Sequence, residues 1–182
     1  MRFVDILDNE RLWSVFYDGD SEDILSATLS NWINPSFLRR FFTDNAADLY
    51  NYFHITNLDQ AIYDTVADAV KMSCLILDIS PEANLDEIFR PLENYRANEM
   101  ILSREKAKGE RTAGHPSWLR LYAIKLERNT YLITGGAIKL THRMNEREHT
   151  LEELRKLETV RNHLIDNGVT DLDALQSYNE EQ

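Results

Sequence analysis

Cysteine occurs once in the 182 residues, at Cys74, so no intramolecular disulfide can brace the fold. Its neighbours are apolar and their pattern is helical, which predicts a free thiol packed as a small core hydrophobe in a reducing compartment. No apolar run approaches the roughly 18 residues that a membrane span requires. Met1 to Asp5 show no basic segment leading into an apolar one. The expectation is a chain that is neither secreted nor membrane-inserted and that resides in the cytoplasm. HExxH, CxxC, P-loop and GxGxxG spacings are also missing, and Gly135-Gly136 lacks the third glycine and following helix of a dinucleotide site. No metal or cofactor is indicated. Internal repeats and low-complexity tracts are absent too.

Basic residues are in short supply overall: 20 Lys and Arg stand against 31 Asp and Glu, a formal charge of −11. Taken whole, that balance argues against general affinity for nucleic acid, which Lys and Arg largely drive. Their distribution is uneven. Residues 1–100 hold 7 basic and 18 acidic side chains, residues 101–150 hold 10 and 5, and residues 151–182 hold 3 and 8. One basic block is thus bracketed by acidic ones, and it contains His115, His142 and His149, three of the five histidines. A solvated face without a ligand is the alternative reading of such a block.

An apolar fraction of 43% fits a globular protein with a real core. Phe3 to Leu7 and Leu12 to Tyr17 read as a hairpin around Asp8-Asn9-Glu10. Helices are predicted from Ser21 to Trp32, from Pro35 with Phe37, Leu38, Phe41 and Phe42, and from Asp48 to Phe53. Asn57 with Gln60 caps a long helix whose stripe is Leu58, Ile62, Val66, Ala69, Ser73 and Leu77, ending at Ser80-Pro81. Leu85 to Leu92 reads as a further helical turn. Arg104 to Ser117, polar and glycine-bearing, reads as an exposed basic loop. Two strands follow, Trp118 to Leu126 and Tyr131 to Thr141, joined by the loop Glu127 to Thr130. Thr150 with Glu153 resembles a capping box for a helix carrying Leu151, Leu154, Leu157, Val160 and Leu164, stopped at Asn167-Gly168. Leu172, Leu175 and Tyr178 suggest one more short helix. The aromatic density of Phe37, Phe41, Phe42, Tyr50, Tyr52 and Phe53 predicts a folded helical cap in the N-terminal part.

If Leu126 pairs with Tyr131, then Ile124 faces Ile133, Tyr122 faces Gly135, Arg120 faces Ala137 and Trp118 faces Lys139. Alternation then puts Trp118, Arg120, Tyr122, Lys139 and Thr141 on one side of the sheet. Gly135 and Ala137 leave a concavity there, rimmed by two cations, a phenol and an indole. Cations can neutralise a phosphate and its developing charge while a ring stacks on a base. His142 and Arg143 lie just past the strand, where an imidazole can serve as acid or base. The same residues also read as structure: Trp118 and Tyr122 as core, Lys139 on Trp118 as a cation–π contact, and Gly135-Gly136 as a bulge. His54 and His163 each stand alone in a helical context.

The segment Phe89 to Gly168 resembles the HigB-type toxins, and a related group of phage proteins, of the RelE/ParE superfamily. The resemblance rests on Phe89-Arg-Pro-Leu92, Trp118-Leu-Arg-Leu-Tyr-Ala123, Tyr131-Leu-Ile-Thr-Gly-Gly-Ala-Ile-Lys139 and the helix beginning near Thr150. It implies an α+β fold with a small twisted antiparallel sheet packed against helices. It also implies a metal-free mRNA endonuclease, a hydrolase acting on the ribosome, neutralised by a helix-turn-helix antitoxin encoded nearby. Carried over, Arg120 contacts phosphate and Lys139 supports the transition state. His142 and Tyr122 complete the candidate catalytic set, with Lys106, Lys108, Arg111, Trp118 and Arg143 as RNA contacts. The chain departs from the family in its acidic extension, in a poorly marked strand before Trp118 (Met100 to Leu102), and in its C-terminal catalytic groups, for which Tyr178 is the one candidate. These features divide the chain into a β-hairpin and helical extension, residues 1–84, and a toxin-like domain, residues 85–182. Two other functions fit the same pattern: a non-catalytic interaction protein that keeps the fold, and an inhibitor of DNA gyrase as in the ParE branch.

Overall fold

A computed structural model of the chain describes residues 1–80, 82–92, 102–109 and 114–181. Arg111 and most of the Met100 to Leu102 strand candidate lie outside them. Among the described residues, six strands form one sheet in the order β1-β2-β6-β5-β4-β3. Their ranges are β1 (Arg2–Asp5), β2 (Leu12–Phe16), β3 (Phe89–Pro91), β4 (Ser103–Lys108), β5 (Leu119–Glu127) and β6 (Thr130–Ile138). The class is α+β as expected, but the sheet is mixed: β2 runs parallel to β6, pairing Leu12 with Tyr131 and Ser14 with Ile133. The N-terminal hairpin therefore extends the sheet built by the later strands.

Helices cover both faces. On one side lie α1 (Ile24–Trp32), α2 (Pro35–Asp44), α3 (Ala46–Phe53), α4 (Leu58–Ile76) and the short α5 (Leu85–Ile88). Their core includes Trp32, Phe42, Leu49 and Ile76, packed with Leu119, Leu121, Ala123 and Ile133 of the sheet. On the other side lie α6 (Glu148–Asp166) and α7 (Leu172–Glu180), whose Leu157, Val160, Leu164 and Leu175 pack with Phe3, Trp13, Ile124 and Leu132. Strand alternation sorts odd β5 residues to the first core and even ones to the second.

Local signals account for most helix starts. The Asp23, Asn34 and Asn57 side chains each accept from the two backbone N–H groups two and three residues on, satisfying donors that the first helical turn leaves open. The α4 stripe is shifted from the one expected: Ala61, Thr65, Asp68, Met72 and Ile76 are buried with Ile62 and Ala69, while Leu58, Val66, Ser73 and Leu77 sit at the margin. Cys74 lies on the outer face and is exposed, which corrects its assignment to the core. Tyr50 and Tyr52 of the cap are likewise exposed.

Three further corrections bear on the site. The supposed loop after Arg104 begins as a strand, with Lys106 opposite Tyr122 and Lys108 opposite Arg120. The β5–β6 turn is tighter than a four-residue loop: Glu127 pairs with Thr130, and Asn129 takes a left-handed conformation (φ 60°) that an asparagine tolerates. Finally, Thr150 does not cap α6. It lies in the first turn, where its hydroxyl donates back to the Arg147 carbonyl (2.9 Å), and Glu153 turns inward on the sheet.

Candidate functional site

The β5–β6 register departs from regularity twice, and the two departures cancel. Leu126 is passed over on β5 near the turn, and Thr134 is passed over on β6. Between them Ile124 faces Leu132 and Lys125 faces Tyr131, not the expected pairs. Beyond them Tyr122 faces Gly135 and Arg120 faces Ala137, as alternation predicted. A bulge of this kind inserts one extra residue and frees its backbone groups, and the Thr134 carbonyl is taken up by the Tyr17 hydroxyl at 2.8 Å.

On the α6 face this register aligns Lys108, Arg120 and Ala137 in one row across the sheet, and Lys106, Tyr122 and Gly135 in the next. The space over Gly135, where the sequence suggests a concavity, is filled by the Glu153 carboxylate. A cavity of about 530 Å³ opens beside it, lined by Lys106, Lys108, Arg120, Tyr122, Lys139, His142 and Arg143, with Leu92, Met144 and Leu154 as apolar walls. Seven of the nine residues singled out in the sequence are thus brought together.

Positive charge dominates the cavity, and Glu105 near Lys106 and Glu146 near Lys139 offset it only in part. Burial lowers the pKa of Lys106, Lys108 and Lys139, and the Arg120 guanidinium lowers each of them further; Lys106 adds to the effect on Lys108 and on Lys139. Arg120 itself is pulled down by burial. Among the described residues no carboxylate lies within ion-pair range of these four cations. Backbone carbonyls hold three of them. Arg120 donates to Ser117 and Leu119, Lys139 to Thr141 (2.7 Å) and His142, and Lys106 to Leu92 (3.0 Å). The Tyr122 phenol is pushed up by burial and by the Glu153 carboxylate, and its hydroxyl donates to Met144 Sδ at 2.7 Å. It stays protonated at neutral pH.

No protein-family model matches the chain, and no curated protein or solved structure does. No described helix is long and apolar enough to cross a membrane. Among the described residues, no cluster of three or more His, Cys, Asp or Glu is arranged to hold a metal ion.

Trp118 is not brought to the cavity. It precedes the first residue of β5, so strand alternation does not govern it, and the indole turns into the helical core. There Nε1 donates to Thr65 Oγ1 (2.9 Å), Phe42 and Phe53 meet the ring edge-on, and His115 stacks on it with centroids 4.3 Å apart. The expected Lys139 contact is replaced by these. His115 faces buried Asp64 across 3.3 Å and His149 faces the Ile138 carbonyl, so neither joins the cavity. Tyr178 packs on Phe3, its hydroxyl 2.8 Å from His163 Nε2, and does not line the cavity either.

Two contributors escaped the sequence reading. The sequence spacing makes Glu153 half of a capping box, yet it is almost fully buried against Gly135. Aromatic density assigns Tyr52 to the core, yet it stands beside His142.

Proposed function

We propose that this cavity binds the phosphodiester backbone of RNA and that the protein is a toxin-like, metal-independent endoribonuclease acting on ribosome-bound mRNA. One observation carries the reading: Lys106, Lys108, Arg120 and Lys139 converge on one cavity, none of them in a direct ion pair among the described residues, with Glu105 and Glu146 only partly offsetting their charge. Like charges held together at a cost to each other's protonation are the mark of a site that awaits an anion. Arg120 and Lys139, braced by backbone carbonyls, supply fixed positive charge for a phosphate whose charge rises in the transition state. His142, exposed at the mouth, is the proton-transfer group. Tyr122 acts as a donor and a wall. The acidic remainder of the surface repels long nucleic acid, so binding is confined to this patch. A helix-turn-helix antitoxin encoded nearby is the partner this reading expects.

A second reading, binding without cleavage, is favoured by the protonated Tyr122 phenol, since it removes one candidate base from the cavity. Adding the protein to ribosomes carrying labelled mRNA, and separately to free labelled single-stranded RNA in excess EDTA, distinguishes them. Cleavage that falls 100-fold or more in Lys139→Ala and His142→Ala is expected of the nuclease. Binding that weakens with salt, with a slope reduced by about 0.7 when Lys139 is removed, but with no cleavage, is expected of the second. RNA affinity indifferent to both salt and Lys139→Ala would sink both.

A further inference from the structure

The N-terminal helical layer packs on the far face of the sheet, yet α3 reaches round to the cavity mouth. Tyr52, on α3, meets His142 edge to face, with ring centroids 4.9 Å apart and planes at 89°. Both side chains are exposed, Tyr52 at 37% of its surface. In such a pair each ring keeps at least one face that the other does not cover.

The position of Tyr52 is fixed from behind. Asp48, four residues earlier and so on the same side of the helix, is buried and accepts from Arg147 Nε (2.6 Å) and Nη2, a bidentate ion pair that ties α3 to the start of α6. Leu49 beside it is fully buried. Through that pair the Arg147 guanidinium is held on the side of α3 that carries Tyr52. The mouth therefore carries two rings with a guanidinium near them, next to the cations that line the cavity.

We propose that Tyr52, with His142, is a base-stacking platform at the mouth of the cavity, and that the nucleic acid taken there is single-stranded. The inference rests on the cavity binding RNA phosphates. A flat exposed ring can receive only a base whose face is free, and in a duplex those faces are covered by neighbouring pairs. The cations bind the backbone whatever its sequence, and the rings add an interaction that a bare polyanion lacks. Strand selectivity then comes from the N-terminal layer, while affinity for charge comes from the sheet.

The test measures binding of full-length protein to three probes at low ionic strength: fluorescein-labelled oligouridylate, an RNA duplex of equal length, and inorganic polyphosphate. Wild type should prefer the single strand to the duplex. Tyr52→Leu should bind oligouridylate about tenfold more weakly, the loss of one stacked base, and polyphosphate within about twofold of wild type. Tyr52→Phe should restore oligouridylate binding. Oligouridylate affinity unchanged in Tyr52→Leu, equal loss of both ligands in that variant, or no preference of wild type for the single strand would each overturn the stacking platform. Wild type that binds neither oligouridylate nor polyphosphate would instead remove the cavity reading beneath it.

Discussion

The Glu153 carboxylate occupies the space that a side chain at residue 135 would fill: a Cβ built on Gly135 would overlap Oε2 and crowd the carboxyl carbon. A neighbour on α6, not backbone conformation, is what favours glycine there.

That contact makes Gly135→Ala a probe of the sheet–helix seam. The substitution should cost about 1–3 kcal/mol of folding stability through overpacking. Denaturant melts should show it, and the cost should largely vanish when Glu153→Ala is present in the same chain. Equal costs in both backgrounds would mean that the carboxylate moves aside freely.

Glu153 also sets a pH dependence. Burial raises its pKa above the ordinary 4.5, an effect that its bond to Lys156 Nζ (2.8 Å) only partly offsets. The folded state then holds this proton more tightly than the unfolded one, so its stability contribution is greatest below the ordinary value and is lost as pH rises through the raised one. Glu153→Gln cannot ionise and should lack this component. Urea titrations from acid to neutral pH should show the variant gaining on wild type as pH increases; parallel curves would contradict the assignment.

Trp118 should behave as a core residue. Trp118→Ala should destabilise by about 3–5 kcal/mol. The milder Trp118→Phe, which loses the bond to Thr65 Oγ1, should cost about 1–2 kcal/mol and leave RNA affinity at its wild-type value. A Phe variant of normal stability with weakened RNA binding would place the indole at the site after all.

Much of the site was legible because period-two alternation and two small residues on β6 are local facts of sequence. Arg120 opposite Ala137 and Tyr122 opposite Gly135 follow from them. The register there was right although the turn was not, since the residue passed over at Leu126 offsets the one at Thr134. Trp118 could not be placed in the same way. Its side of the sheet is set by where the strand begins, one residue later, and by α4 and Phe42 waiting on the other face. Cys74 shows a related limit: an apolar neighbourhood in sequence fixes a helix but not which of its faces is covered. The parallel contact of β2 with β6 was invisible to any local pattern, because it joins segments that share no loop or repeat.

That contact shapes how the chain reaches its native state. Ser14 and Ile133 are separated by about 120 residues, so the early hairpin must persist, or form late, until β6 has been synthesised and can receive it. Closing so long a loop is slow, and until then β2 is an unpaired strand on the side that β6 will cover. A nascent chain halted before β6 would offer that unpaired strand to neighbouring copies, so synthesis arrest is a condition that favours aggregation.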